Sequence, residues 1–148
     1  MRTRLTALAI VLGGAVIALL FGPRGPLGGF WRPVTMDRPP AGWQLAGLMG
    51  AGLVEAVGFG LALAVLALGR STAHRLIAAP VRATAAQLAT AWLLGSWWPH
   101  SALHQHVGLR PSALAGLELG FHGGSILAAA VLLWAVLSGG LAGRAATG

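Results

Sequence analysis

The chain has 148 residues, of which 56% are hydrophobic and 9% are charged. In a soluble domain roughly a quarter of the residues are charged, so this chain could not cover a water-facing surface. Its length fits one compact domain without room for a second. Because the sequence has no cysteine, disulfide bonds, thiolate metal ligands, iron–sulfur clusters and thiol catalysis are excluded.

The net charge is +7, and every basic residue is an arginine. In a soluble protein this charge would suggest nucleic-acid binding, but most of these arginines flank apolar runs, where they indicate membrane topology. We therefore expect the lipid bilayer as a partner and no nucleic acid. The abundance of Arg, Ala, Gly and Leu is typical of a GC-rich bacterial genome.

Four apolar runs predict four transmembrane helices, since a membrane helix needs about 20 predominantly apolar residues. The spans are expected at about residues 5–21, 41–69, 76–98 and 112–137. The first run resembles a signal peptide but lacks a convincing cleavage site, so we expect it to be retained. The predicted fold is an all-α integral membrane four-helix bundle, a single transmembrane domain over residues 1–148. Residues 99–111 would form a histidine-bearing loop between the third and fourth helices, and residues 70–75 a tight turn.

The arginines also suggest an orientation. If the N-terminus is cytoplasmic, the inside holds Arg2, Arg4, Arg70, Arg75 and Arg144, while the outside holds Arg24, Arg32, Arg38 and Arg110. Positive charge favours the cytoplasmic side. We therefore predict a multi-pass protein of the bacterial inner membrane with cytoplasmic N- and C-termini and an extracytoplasmic histidine loop.

Small residues repeat every four positions in two of the spans. These stripes consist of Gly52, Ala56, Gly60 and Ala64 in the second span, and of Gly116, Gly120 and Gly124 in the fourth. Small residues let membrane helices approach closely. We expect the stripes to form helix–helix interfaces within the bundle, in a homo-oligomer or in a larger membrane complex.

Histidines and one glutamate make the candidate site of this apolar chain. His100 and His104 are four residues apart, which places both rings on one face if the segment is helical, and His106 follows closely. Glu118 and His122 repeat the same spacing near the start of the fourth span. We predict that these five residues bind a transition-metal ion such as Zn²⁺, Cu²⁺ or Fe²⁺. The alternative is that the loop histidines are merely hydrated, since the specific zinc motif H-E-x-x-H is absent.

Glu55 is a further ionisable residue expected within a span, and such residues are usually functional. Counted along its own helix at 1.5 Å per residue, it would lie about 20 Å deep, near the bilayer midplane. We predict that Glu55 is a proton or ion relay behind the metal site. Alternatively, it is a neutral residue hydrogen-bonded to a backbone carbonyl or to Gln87. His74, which follows the second span, is expected to be solvated.

The function that these patterns indicate is the binding or conduction of a transition-metal ion or of protons near one membrane face. Two alternatives are a non-catalytic structural or accessory subunit of a membrane complex and a haem-binding redox subunit. Haem is the weaker alternative because the C-x-x-C-H attachment motif is absent. No nucleotide-binding or hydrolase motif is present, so we predict no catalytic residue and do not expect a conventional hydrolase or nucleotide-dependent enzyme; the sequence favours a non-enzymatic role without deciding it.

Overall fold

The structure is a computed structural model that describes residues 2–31, 42–108 and 110–145. The segment between the first two predicted spans, residues 22–40, lies partly outside the described residues, and so does residue 41 at the start of the second span. The described parts contain no strand and form six α-helices with one 3-10 turn, Gly29–Trp31. The helices are α1 (Arg2–Phe21), α2 (Gly42–Leu68), α3 (Arg70–Leu76), α4 (Pro80–Gly95), α5 (Trp97–Val107) and α6 (Pro111–Ala145).

Three helices in the described residues are long and apolar enough to cross a membrane: Arg2–Phe21, Gly42–Leu68 and Pro111–Ser138. They correspond to the first, second and fourth predicted spans. The third predicted span, residues 76–98, is not one helix: it contains the last residue of α3, all of α4 and the first two residues of α5. Pro80 begins α4, as proline does readily at the first helical position, where no N–H is needed. With 16 residues, α4 is about 24 Å long, which is shorter than the hydrocarbon core of about 30 Å.

The two connections around α4 are also helical. Most of the predicted tight turn is the short helix α3, and most of the predicted histidine loop is α5. Ser96 separates α5 from α4, although its backbone angles are helical and the His100 N–H still donates to the Ser96 carbonyl at 3.1 Å. Gly108 ends α5 with a φ of 58°, a left-handed conformation that glycine adopts without steric cost. The histidines therefore lie on a helix with fixed spacing.

The helices pack in the order α1, α2, α4 and α6 through small residues. In the described part, the buried hydrophobic residues are almost all alanines: Ala15, Ala18, Ala56, Ala62, Ala83, Ala86, Ala89, Ala91, Ala102, Ala128 and Ala135, with Leu117. Large side chains such as Val54, Leu119 and Ile126 are exposed. This inverts the pattern of a soluble protein and is expected where lipid surrounds closely packed helices.

The small-residue stripe of α2 is confirmed as an interface with α1 at two positions. A Cβ atom on Gly60 would overlap the carbonyl oxygen of Val11, and a Cβ on Gly14 would lie 2.8 Å from the Cα of Gly60. Ala56 is fully buried and packs with Ala18. Since higher residue numbers on α1 meet lower numbers on α2, the two helices are antiparallel.

The stripe of α6 is an interface at only one of its three positions. A Cβ on Gly124 would contact the Trp92 ring of α4 at 2.6 Å, whereas a Cβ on Gly116 or Gly120 would meet no described atom within 4 Å. Buried Leu117, Ala128 and Ala135 show that α6 meets the rest of the chain along a different face. Gly116 and Gly120 therefore do not join α6 to another helix of the described chain.

A matched pair of glycine substitutions tests the α1–α2 interface. Gly60→Ala places a methyl group against Val11, and overpacking of this kind typically costs about 1–3 kcal/mol of unfolding free energy. Gly50→Ala, on the same helix with no atom within 4 Å, should be neutral or stabilising by up to about 1 kcal/mol because alanine is the better helix former. Unfolding in detergent, followed by circular dichroism, measures both changes. Equal stability of the two variants would contradict the interface.

Candidate metal site

The histidines of α5 form one side of the site. His100 and His104 are one turn apart, and their ring centroids are separated by 4.6 Å in an edge-to-face arrangement. Pro99 lies in the first turn of α5, where a backbone nitrogen needs no hydrogen-bond partner within the helix. The helical spacing therefore brings both imidazoles to the face that meets α6.

Glu118 on α6 forms the other side of the site and connects the two helices. Its Oε1 lies 2.7 Å from Nε2 of His104, and its Oε2 lies 2.7 Å from Nδ1 of His122. A carboxylate is an acceptor only, so each imidazole donates a ring N–H to one oxygen. The predicted pair on α6 is thus joined directly to a predicted ligand on α5.

Three of the five predicted ligands form a group that could hold a metal ion. Ligand atoms of His100, His104 and Glu118 all lie within 4.8 Å of one another. A tetrahedral zinc ion with ligands at about 2.0–2.2 Å holds those ligands roughly 3.4 Å apart. The group is therefore close to a binding arrangement, and rotation of the side chains would bring the three atoms together. His122 is adjacent, with its ring centroid 5.2 Å from that of His100.

His100 is the member of the group whose hydrogen bonding is incomplete. Its Nε2 is buried and has no hydrogen-bond partner. Burial lowers the pKa of His100, and the neighbouring rings of His104 and His122 lower it further, while Glu118 has the opposite effect. A lowered pKa favours the neutral imidazole, which is the form that binds metals. A void of about 10 Å³ beside His100, lined also by Ser96 and Ser125, is about the size of one water molecule.

The structure does not bring His106 into this group. Its Nδ1 lies 3.0 Å from the carbonyl oxygen of Phe30, and its ring stacks on the Phe30 ring with centroids 4.9 Å apart. His106 follows His104 by two residues, so it lies on another face of α5. It connects α5 to the 3-10 turn, and its contacts favour a structural role over that of a ligand.

Glu55 also lies outside the metal group. Its Oε1 accepts a 2.6 Å hydrogen bond from the Ser101 hydroxyl of α5. Gln87, its alternative partner in the sequence analysis, instead donates to the carbonyls of Val65 and Leu66 at the far end of α2. The relay role of Glu55 stays a prediction.

The depth of Glu55 differs from the expectation based on α2 alone. Ala56, the next residue, packs with Ala18, which is three residues before the end of α1. Residues 42–51 of α2 are exposed and extend past that end. With 20 residues, α1 is about 30 Å long, enough to cross the hydrocarbon core by itself. Glu55 is therefore level with one end of α1, a helix long enough to cross the hydrocarbon core.

Sequence reasoning missed the contacts that hold α5 and α6 in place. The Trp92 indole N–H of α4 donates to the Ser125 hydroxyl of α6 at 3.3 Å, and the Trp92 ring stacks on that of Phe121. The Phe121 ring in turn lies 5.0 Å from that of His100. The sequence did carry a signal for Phe121 and Ser125. They follow Glu118 by three and seven residues, and this spacing places them on the same face of α6 as Glu118.

Comparisons with protein-family models, with curated proteins and with solved structures found no match to this chain.

A double-mutant cycle tests the connection between α5 and α6. Glu118→Gln leaves one imidazole N–H facing an amide group instead of a carboxylate oxygen, so we expect a loss of about 1–2 kcal/mol of unfolding free energy. In the background of His104→Ala the same substitution should cost measurably less, because one of the two hydrogen bonds is already absent. Guanidinium unfolding in detergent measures all four proteins. Strictly additive losses would contradict the connection.

Proposed function

We propose that this protein is a small multi-pass membrane protein that binds a transition-metal ion, Zn²⁺, Cu²⁺ or Fe²⁺, with His100, His104 and Glu118 as ligands. His122 is next to this group and supplies a further imidazole. The observation that carries the proposal is the convergence of two imidazoles and a carboxylate from two helices, with a buried ring nitrogen of His100 that lacks a partner. Imidazole and carboxylate are ligands that these ions accept.

We propose four crossings of the membrane, with α4 as a short third crossing. The first half of α2 and the start of α6 are both beside α5, since Leu45 and Leu48 line a pocket with Ser101 and Gln105, and Glu118 bonds to His104. If α2 and α6 both span, the chain must return across the membrane between them, and α4 is the helix that does so. Its packing against α2, with a Cβ on Gly58 meeting the Leu94 carbonyl, supports this arrangement.

The arginines support an inner-membrane orientation with cytoplasmic termini. Arg2 and Arg4 begin α1, Arg70 and Arg75 are on α3, and Arg82 is in the first turn of α4. The start of α1, the short helix α3 and the start of α4 are all at the end of the molecule opposite α5. The proposed metal site is then on the extracytoplasmic side, as the positive-inside rule favours. Glu118, the eighth residue of α6, is about 10 Å from the start of that helix.

Metal binding fits this geometry better than conduction or haem. Conduction would need polar groups that continue through the membrane. Glu55, the predicted relay, instead bonds to Ser101, the residue after His100, and so stays close to the level of the metal group. A bis-histidine haem needs its porphyrin between the two imidazoles. The 4.6 Å between the ring centroids of His100 and His104 leaves no room for it.

One observation favours a structural role as the second candidate. Glu118 accepts a hydrogen bond with each of its oxygens, and this arrangement would join α5 to α6 without a metal ion. A non-catalytic accessory subunit stabilised in this way would bind no metal specifically. His100 separates the two candidates, because it belongs to the metal group but not to the hydrogen bonds of Glu118.

Calorimetric titration of the purified, metal-free protein with Zn²⁺, Cu²⁺ or Fe²⁺ tests the proposal. We expect one site per chain, at least tenfold weaker binding in His100→Ala and His104→Ala, and little change in His106→Ala, since the His106 ring is bonded to Phe30. His74→Ala is the matched control, because His74 lies on α3 at the other end of the molecule.

The structural alternative predicts a different pattern in the same titration. If the protein binds none of the three ions, or if His100→Ala binds them as tightly as the unaltered protein, the metal proposal is wrong. Loss of stability in Glu118→Gln together with either result would then favour the accessory subunit.

A further inference from the structure

A second polar site is located where α5 contacts α2. A pocket of about 320 Å³ lies between the end of α1, the turn after it, the first half of α2 and α5. Four of its lining side chains are polar, and the others include Leu45, Met49 and Trp98. The polar ones are Arg24, Glu55, Ser101 and Gln105. Its size and mixed lining are those of small-molecule pockets, which combine mostly apolar walls with a few polar groups.

The two charged residues of this pocket lie near each other without forming an ion pair. A Cβ on Gly52 would lie 3.8 Å from Nη1 of Arg24, and Gly52 precedes Glu55 by three residues, or about 4.5 Å along the helix. Arg24 donates one long hydrogen bond of 3.4 Å to the Leu48 carbonyl, and Glu55 accepts from Ser101. In the described residues, no ion pair joins Arg24 to Glu55. Each group therefore retains hydrogen-bonding capacity toward the pocket.

This pair of charges selects the chemistry of a ligand. A guanidinium group binds phosphate or carboxylate with charge-assisted hydrogen bonds. A carboxylate in a pocket that an indole ring also lines favours an organic ammonium group, because both attract a cation. We propose that the pocket binds a zwitterionic phosphoethanolamine group, free or as the headgroup of a phospholipid, with the phosphate at Arg24 and the ammonium at Glu55.

The position of the pocket agrees with such a ligand. Arg24 follows the end of α1 by three residues, and Ala18, Leu19 and Gly22 from that end line the pocket. Since α1 is long enough to cross the hydrocarbon core, the pocket is level with the headgroup region of one leaflet. A zwitterionic headgroup is present there at high local concentration, and the apolar walls can accommodate its glycerol portion.

Binding experiments with defined lipids test this assignment. Native mass spectrometry would compare retention of phosphatidylethanolamine with that of phosphatidylglycerol, which lacks the ammonium group. We expect about tenfold preference for phosphatidylethanolamine, loss of this preference in Glu55→Gln, and weaker retention of both lipids in Arg24→Gln. Calorimetry with free phosphoethanolamine distinguishes the sources: binding of the free compound indicates a soluble ligand, and binding of the lipid alone indicates a headgroup.

Two further variants keep the test independent of folding. Arg70→Gln removes an exposed arginine of α3 at the other end of the molecule and should retain lipid as the unaltered protein does. Gly52→Leu keeps both charges but fills the space near Arg24, and it should lose the ligand while its helical circular dichroism is unchanged. Equal retention of the two lipids together with no binding of phosphoethanolamine, or an undiminished preference in Glu55→Gln, would overturn the proposal.

Discussion

The carboxylate of Glu118 is the interaction on which the arrangement of this site depends. It joins His104 of α5 to His122 of α6 with contacts of 2.7 Å on each oxygen. Few large apolar side chains are buried in the described residues, so tight packing alone gives α5 little specific direction. A charge-assisted hydrogen bond is roughly twice as strong as a neutral one. Glu118 therefore fixes which face of α5 meets α6 and brings His100 beside the same carboxylate.

The two polar sites follow from the geometry of one short helix. Because α5 turns by 100° per residue, His100 and Ser101 point to adjacent faces. One face meets Glu118 of α6, and the other meets Glu55 of α2. The proposed metal site and the proposed zwitterion pocket are thus neighbours that use different residues of α5.

Much of the fold could be predicted from the sequence because hydrophobicity reports directly on membrane helices. The first, second and fourth apolar runs are helices of the required length, and two of the four predicted positions of α2, Ala56 and Gly60, are at an interface with α1. The third run is divided between helices, because apolar composition does not reveal where one helix ends and the next begins. Residues 76–98 contain Pro80 and Ser96 at the boundaries of α4, and these were visible as residues but not as breaks.

The candidate site was predictable in part for a similar reason. Helical spacing identified His100 with His104 and Glu118 with His122, and the structure joins these pairs. Helical spacing could not show that His106 faces Phe30 or that Glu55 bonds Ser101, because both contacts connect elements that are distant in sequence. The position of Glu55 relative to α1 could not be predicted either, because the count along α2 began in a part of the helix that extends past α1.

X-ray absorption spectroscopy of the zinc-loaded protein tests the central claim most directly. The account predicts a first shell with imidazole nitrogens and a carboxylate oxygen at about 2.0–2.2 Å, with the multiple-scattering signal of two or more histidines. That signal should diminish by one imidazole in His100→Ala. A first shell made only of oxygen atoms, unchanged by the substitution, would show that His100, His104 and Glu118 do not form a metal site.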